Sequence, residues 1–164
     1  PTLLEESGLG VFESRFTYAI GSLVIYSRRI DDCKGALLDP TSGFVAIANP
    51  ATSPYGAAAQ QYLEAAGLWD GVSRRAVYGE NIAQAWQFGF TSNASIAIVA
   101  RAQLHAAPDE TACAVDVPPE MHKALEQQAV LLDGNNAAAG EFMEFLRSES
   151  ARRIMEIDGY GVPR

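Results

Sequence analysis

The chain has 164 residues, of which 48% are hydrophobic and 20% are charged, and its formal net charge is −8 at pH 7. This size and composition suffice for one globular core with a smaller appended piece. The negative charge argues against nucleic acid and anionic membranes as partners, because binding to phosphates requires clustered lysine and arginine. No apolar run reaches the roughly 18 residues of a membrane-spanning helix.

The first quarter of the chain predicts a short helix, a strand and a polar stretch. Residues 1–8 have the pattern of a helix that ends at Gly8, and residues 17–26 are rich in β-branched and aromatic side chains, which predicts one buried strand. Residues 27–42 are polar and predict a loop that contains one short turn of helix. The chain opens at Pro1 without a methionine or a basic leader, so we expect a cut end rather than a natural beginning.

The segment 44–100 predicts a compact β-α-β-α-β unit. Three strand patterns alternate with two helix patterns, in the order 44–48, 54–66, 75–78, 81–89 and 95–100. Such units form parallel sheets with right-handed crossovers.

Both helix patterns in this segment begin with good capping residues. Ser53 precedes Pro54, which suits the first helical position, and Asn81 caps the second helix. In a parallel α/β unit both helices begin at the sheet edge where such folds bind ligands. Helix starts carry partial positive charge, so two of them can hold an anion. The same pattern also fits ordinary capped helices that bind nothing.

The candidate donors at these helix starts are main-chain N–H groups. They belong to Tyr55 and Gly56 in the first helix and to Ile82 in the second. Gly56 lets a ligand approach the backbone, and the Tyr55 hydroxyl is a further donor. Neither loop carries lysine or arginine, so neutral dipoles would hold the anion against the negative field of the chain.

The last third of the chain predicts a connector, a strand and two helices. The stretch 105–119 contains three prolines and has the composition of a connector, and 128–132 has the pattern of a strand. Two capped helix patterns follow, 137–147 after Asn135 or Asn136 and 149–157 after Ser148.

Cysteine and histidine give little support to a catalytic or metal site. Cys33 and Cys113 are either two free thiols or one disulfide that ties the beginning of the core segment to its end. Their spacing does not match a zinc site, and His105 and His122 are isolated. The sequence contains no Gly-x-Ser-x-Gly, HExxH or Walker motif, so it offers no catalytic residues.

Two segments resemble a known family in particular. The stretches NPATSPYGAA (49–58) and YGENIAQA (78–85) are similar to those of the periplasmic molybdate-binding proteins of ABC importers, and the resemblance covers nearly the whole chain. It implies an α/β fold of the periplasmic-binding-protein type II, with one parallel-sheet lobe and part of a second. A remnant of lobe one and the first crossover strand would cover 1–26, lobe two 27–115, and the return crossover and C-terminal helices 116–164.

The resemblance also implies the ligand and its donors. Molybdate, and with it tungstate, would be bound as an oxyanion rather than as a metal cation. The second-lobe donors of the family fall on Tyr55 and Ile82, with Ser53, Gly56 and Asn81 as supporting helix-cap residues.

Two positions depart from the family pattern. A tyrosine donor that some members carry two strands later falls here on Ala100, and Tyr55 would supply a replacement hydroxyl. The first-lobe segment with the serine donors has no counterpart in the chain. Half of the ligand shell would then be absent, so we expect the fragment to bind molybdate weakly or not at all. Its exposed apolar surface would favour dimers or strand exchange.

The implied partners are the molybdate oxyanion and the membrane permease of an ABC transporter. The resemblance implies a periplasmic location, hinge closure around the anion, and no cofactor, catalysis or nucleic acid. Two rival classes stay open: a ligand-sensing regulatory effector domain of the same fold, and an enzyme on an α/β scaffold, which a cluster of titratable groups in the cleft would favour. A binding protein for another oxyanion such as sulfate is a closer variant.

Overall fold

The computed structural model of the protein describes residues 1–106 and 111–163. The strands are β1 (Phe16–Gly21), β2 (Leu23–Ser27), β3 (Val45–Ala48), β4 (Ala76–Gly79), β5 (Ile96–Ala100), β6 (Cys113–Asp116) and β7 (Leu125–Ala129). The α-helices are α1 (Thr2–Glu6), α2 (Cys33–Leu38), α3 (Pro54–Ala65), α4 (Trp69–Ser73), α5 (Ile82–Phe90), α6 (Ala137–Arg147) and α7 (Glu149–Ile157). Among the residues described, no helix combines the length and the apolar character needed to cross a membrane.

The chain divides into two compact units. The larger unit is Ser22–Leu125, and the smaller unit combines Pro1–Gly21 with Glu126–Arg164. The predicted division into two lobes at 1–26, 27–115 and 116–164 uses other boundaries and stays a prediction.

A five-stranded sheet forms the centre of the larger unit. Its strand order is β4-β3-β5-β2-β6. β3 is parallel to β4 and to β5, whereas β2 is antiparallel to β5 and to β6. The predicted parallel β-α-β-α-β unit is therefore present. On one side, β2 and β6 extend its sheet through antiparallel pairing.

Helices cover both faces of this sheet. Ala59 and Leu63 of α3 pack with one set of strand residues, which includes Ile47 and Ile98. Ala85 of α5 packs with the residues that point to the other face, which include Val24, Ala46 and Val99. Because successive residues of a strand point to opposite faces, α3 and α5 lie on opposite sides of the sheet. The central strands are buried on both faces, and their sequences are therefore nearly continuous runs of apolar residues.

The strand predicted over 17–26 is two strands in the structure. The extended stretch is interrupted at Ser22, which belongs to neither strand. The carbonyl of Ser22 accepts a hydrogen bond from the N–H of Arg101 at 3.0 Å. β1 pairs with β7 in a two-stranded sheet, while β2 joins the five-stranded sheet. One continuous apolar run thus contributes a strand to each of two sheets. Its composition alone does not show where one strand ends and the next begins.

Three further elements differ from the sequence prediction. β6 lies inside the stretch 105–119 that was expected to be a connector, of which 107–110 fall outside the described residues. β7 begins three residues before the strand predicted at 128–132, and α4 was not predicted. β6 and α4 are four and five residues long, too short for a periodic pattern to stand out.

The smaller unit contains β1, β7 and helices α1, α6 and α7. The side chain of Asn136 accepts a hydrogen bond from the N–H of Ala139 at 3.1 Å, and Ser148 caps α7 in the same way through Ala151 at 3.2 Å. The predicted extents of α6 and α7 are therefore correct. The guanidinium carbon of Arg147 lies 3.9 Å from the centre of the Phe16 ring, which ties α6 to β1.

A disulfide joins Cys33 to Cys113 within the larger unit. Their Cα atoms are 5.9 Å apart, and the described part of the chain has no free cysteine. Because Cys33 begins α2 and Cys113 begins β6, the bond ties the first helix of the unit to its edge strand.

Candidate functional site

The carboxyl ends of β3 and β4 lie side by side. Their parallel register pairs Ala48 with Gly79, and the N–H of Asn49 donates to the carbonyl of Gly79 at 2.8 Å. Short loops lead from this edge into α3 and α5. Because these two helices lie on opposite faces of the sheet, their starts flank the same edge from both sides, as in other α/β ligand sites.

The start of α3 is packed closely against the end of β3. Ser53 caps the helix, and its hydroxyl accepts the N–H of Gly56 at 3.4 Å. A Cβ atom on Gly56 would lie 2.2 Å from the carbonyl oxygen of Ala48. The glycine is therefore required for contact between helix and strand. Its N–H is directed to the cap rather than left for a ligand, which corrects the expectation that Gly56 donates.

Tyr55 occupies the second helical position of α3. Its side chain is half-buried and packs against the core cluster that includes Ala58, Ala59 and Leu63. Tyr55 therefore stands at the predicted place, and its role as an anion donor stays a prediction.

The start of α5 is fixed by two side-chain amides. Asn81 caps the helix, and its Oδ1 accepts the N–H of Gln84 at 2.9 Å. In return, Oε1 of Gln84 accepts the N–H of Glu80 at 2.6 Å. This reciprocal arrangement is a variant of the capping box and holds the turn before the helix in place.

Ile82 is the first residue of α5, and its N–H has no hydrogen-bond partner among the residues that the structure describes. Its side chain is half-buried against the cluster that contains Ala46, Ala48 and Ala85. The neighbouring amides of Glu80 and Gln84 are satisfied by side chains. A main-chain donor without a partner in the described residues thus lies at the position predicted from the sequence.

Neutral groups dominate the two helix starts. The loops 49–56 and 79–84 contain no lysine or arginine, and Glu80 is exposed. Arg101, which follows β5, pairs with the carboxylate of Asp116. In the described residues there is no cluster of His, Cys, Asp and Glu that could hold a metal ion. Any positive potential for an anion therefore comes from helix dipoles and N–H groups.

The remaining predicted residues lie apart from each other or carry no donor. Ala100 ends β5 and is only 5% exposed. Its side chain is a methyl group, which cannot donate a hydrogen bond. His105 is exposed and His122 half-buried, and they lie on separate segments of the chain. Gln103, whose side chain reaches α5, was not predicted from the sequence. It lies in a 3-10 helix without apolar periodicity, so no pattern in the sequence could have marked it.

Two cavities lie near the strand ends. One, of about 510 Å³, is lined by Asn49, Pro50, Ala51, Gln60, Trp69 and Tyr78. The other, of about 270 Å³, is lined by Arg101, Leu104, His105 and Thr111. Neither lining includes Tyr55 or Ile82, so the space for an anion at these two residues stays a prediction.

The fold and the paired helix starts define a ligand-binding α/β protein of the periplasmic-binding-protein type II. The family model described as bacterial extracellular solute-binding protein matches residues 1–161, and the chain belongs to this family. The membership confirms the resemblance that the motifs indicate.

Individual relatives specify the likeness further. The chain is 38% identical over 165 residues to the molybdate-binding protein ModA of Rhodobacter capsulatus, with 98% of this chain and 64% of the relative covered. It is 37% identical to the ModA protein of Azotobacter vinelandii, with 99% and 67% covered. The solved periplasmic molybdate-binding protein of Azotobacter vinelandii superposes with a TM-score of 0.86 at 30% identity, covering 100% of this chain and 74% of that one. The chain thus spans about two thirds of the curated relatives it matches.

Proposed function

We propose that the protein binds molybdate as the solute-binding component of an ABC importer. The observation that carries the proposal is the pair of capped helix starts at adjacent ends of β3 and β4, with an unbonded N–H at Ile82. Two relatives that are 38% and 37% identical to this chain over nearly its whole length are named for molybdate binding. Together they support an oxyanion at this edge of the sheet.

The donors in this proposal are the main chain of Ile82 and the main chain and hydroxyl of Tyr55. The N–H of Ile82 has no partner among the described residues, so an oxo group that accepts it adds a hydrogen bond that the ligand-free protein lacks. Hydrogen bonds to a charged acceptor are stronger than those between neutral groups. Ser53 and Asn81 support the site because they fix the first turns from which these donors project.

Neutral N–H and O–H donors of this kind can bind any tetrahedral dianion. Sulfate has the same charge and shape as molybdate, so selection between them would depend on the size of the cavity. Molybdate and tungstate have the same charge and the same tetrahedral geometry, and their sizes are similar, so we expect both to bind.

The proposed role is binding and delivery without a chemical reaction. The partner would be the membrane permease of the importer, which would recognise the ligand-bound form. The location would be the periplasm, the compartment for which the solved Azotobacter vinelandii relative is named. A regulatory effector domain of the same fold is the alternative. It would be supported if the gene encodes an output module attached to this chain.

Replacement of Ile82 by proline tests the proposal sharply. Proline has no N–H, and it is well tolerated at the first position of a helix. The preceding Asn81 has φ −147° and ψ 176°, an extended conformation that a following proline permits. Ile82→Pro therefore deletes the proposed donor with little disturbance of the helix, whereas Ile82→Ala keeps the donor and shortens the side chain.

Isothermal calorimetry with molybdate, tungstate and sulfate should be performed on the longest form of the protein that its gene encodes. We expect molybdate and tungstate to bind, sulfate to bind more weakly, and Ile82→Pro to lose at least about tenfold in affinity, the equivalent of one charge-assisted hydrogen bond. Ile82→Ala should lose less. Tighter binding of sulfate, or equal affinity of Ile82→Pro and Ile82→Ala, would contradict the proposal.

A further inference from the structure

Gln103 connects the end of β5 with the first turn of α5. Its Oε1 accepts the N–H of Ala100 at 3.2 Å, and its Nε2 donates to the carbonyl of Ile82 at 3.1 Å. The side chain is half-buried, in the 3-10 helix Arg101–Ala106 that follows the strand. A single planar amide thus bridges the end of β5 and the first turn of α5, and Gln103 lies 21 residues after Ile82 in the chain.

The two partners determine which way this amide points. A backbone N–H requires an acceptor and a backbone carbonyl requires a donor, so only a side chain that offers both can make the two contacts. Glutamate would keep the acceptor and place a second acceptor against the Ile82 carbonyl. Methionine has nearly the same length and offers neither group.

The contact acts on the residue that carries the proposed anion donor. Asn81 and Gln84 hold the turn before α5, and Gln103 holds the carbonyl at the other end of Ile82. We propose that Gln103 is a positioning residue, which orients the first turn of α5 so that the Ile82 N–H points to the bound oxyanion. This inference rests on the proposed function, because it assigns Gln103 a role at the same site.

The proposal has an energetic consequence. A first helical turn that is fixed before the ligand arrives does not need to be ordered on binding, so preorganisation raises affinity without a new ligand contact. Loss of the Gln103 contacts should therefore lower the affinities for molybdate and for tungstate by the same factor. We expect about three- to tenfold, the equivalent of one neutral hydrogen bond.

The test compares Gln103→Met and Gln103→Glu with a matched control, Gln87→Met. Gln87 lies exposed on α5, and its side chain makes no hydrogen bond within the part of the chain that the structure describes. Molybdate affinity is measured by calorimetry on the longest form of the protein that its gene encodes. The ¹⁵N–¹H shift and hydrogen exchange rate of the Ile82 amide are measured without ligand, and urea unfolding verifies that each variant is folded.

We expect Gln103→Met to lose three- to tenfold in affinity, to shift the Ile82 amide resonance and to speed its exchange, while Gln87→Met stays within twofold of the wild type. Gln103→Glu should lose more, because its carboxylate faces the Ile82 carbonyl. An unchanged Ile82 amide, or an affinity of Gln103→Met within twofold of the wild type, would overturn the proposal. A wild-type protein that binds no molybdate would instead overturn the proposed function, and the ligand-free amide measurement would still decide whether Gln103 positions the turn.

Discussion

Arg75 holds the chain segment between α2 and β3 through its guanidinium group. Nη2 donates to the carbonyls of Leu37 at 2.6 Å and Ala36 at 3.2 Å, and Nη1 donates to the carbonyl of Gly43 at 2.8 Å. Burial lowers the pKa of Arg75, and the nearby Asp39 carboxylate works against that shift. The group stays charged at physiological pH, so it serves as a cationic cap on the last carbonyls of α2.

Replacement of Arg75 by methionine tests this cap. The change removes the Arg75 donor from the carbonyl of Leu37, whereas the carbonyl of Ala36 keeps the hydroxyl of Ser42 as a second donor. We therefore expect the free energy of unfolding to fall by about 1–3 kcal/mol. Arg74→Met is the matched control, because Arg74 is exposed and should change stability by less than about 0.5 kcal/mol. Urea unfolding followed by circular dichroism measures both variants, and equal stabilities would contradict the assignment.

The contact between α3 and β3 depends on a glycine. The Cβ of an alanine at position 56 would lie 2.2 Å from the oxygen and 2.7 Å from the carbon of the Ala48 carbonyl. Both are backbone atoms, so the helix start itself must move away from the strand. Because Tyr55 precedes this glycine, any such movement displaces a proposed anion donor.

We therefore expect Gly56→Ala to lower both stability and molybdate affinity. Overpacking of this kind costs about 1–3 kcal/mol, which exceeds the gain in helix propensity. Gly140→Ala in α6 is the control, since a Cβ there meets nothing within 4 Å and should raise stability by about 0.5–1 kcal/mol. Thermal unfolding distinguishes the two, and a stabilised Gly56→Ala would show that the close contact is absent.

The disulfide links α2 to β6 across a sequence separation of 80 residues. A loop of this length restricts the unfolded chain strongly, so the chain-entropy model assigns the bond about 4.5 kcal/mol of stability. We expect the double variant Cys33→Ala/Cys113→Ala to lose an amount of this order. Urea unfolding of the oxidised protein with and without reductant should give the same difference, and titration of the denatured, unreduced protein should find no free thiol. Two free thiols in that titration would contradict the bond.

Local signals in the sequence predict the helices of this fold well. Ser53, Asn81 and Ser148 each mark a helix start that the structure confirms, because a cap depends only on residues within one turn. The strands are predicted less well because their partners are distant. The run 17–26 contributes to two sheets, and β6 exists through its pairing with β2.

The candidate site divides in the same way. The positions of Tyr55 and Ile82 at the helix starts are predictable from the caps, whereas their role as anion donors stays a prediction. Gln103 is not predictable, because its contact with Ile82 spans 21 residues and requires the position of β5 relative to α5. The sequence thus predicts groups that a helix start presents by itself and omits those that depend on tertiary contacts.

The smaller unit exposes several large apolar side chains. Phe12 is 83% exposed and Ile157 is 72% exposed, and Leu3 and Phe142 are also exposed. Scattered exposure is normal, but exposed aromatic and aliphatic side chains on several elements of one small unit favour association.

We expect the 164-residue chain, when it is purified by itself, to self-associate at micromolar concentration. Analytical ultracentrifugation over a dilution series measures this directly. The double variant Phe12→Ser/Ile157→Lys should shift the equilibrium towards the monomer, because it removes one exposed apolar side chain after α1 and another at the end of α7. A chain that stays monomeric at the highest concentration would contradict the expectation.

The position of the bound anion is the most direct test of the proposed binding site. Tungsten scatters anomalously, so a crystal of the protein grown with tungstate locates the oxyanion without reference to its surroundings. We expect the tungsten site at the ends of β3 and β4, with one oxygen about 2.7–3.2 Å from the main-chain nitrogen of Ile82 and another within reach of Tyr55. An anion found instead beside Arg101 and His105, or one that leaves the Ile82 N–H without a partner, would contradict this account.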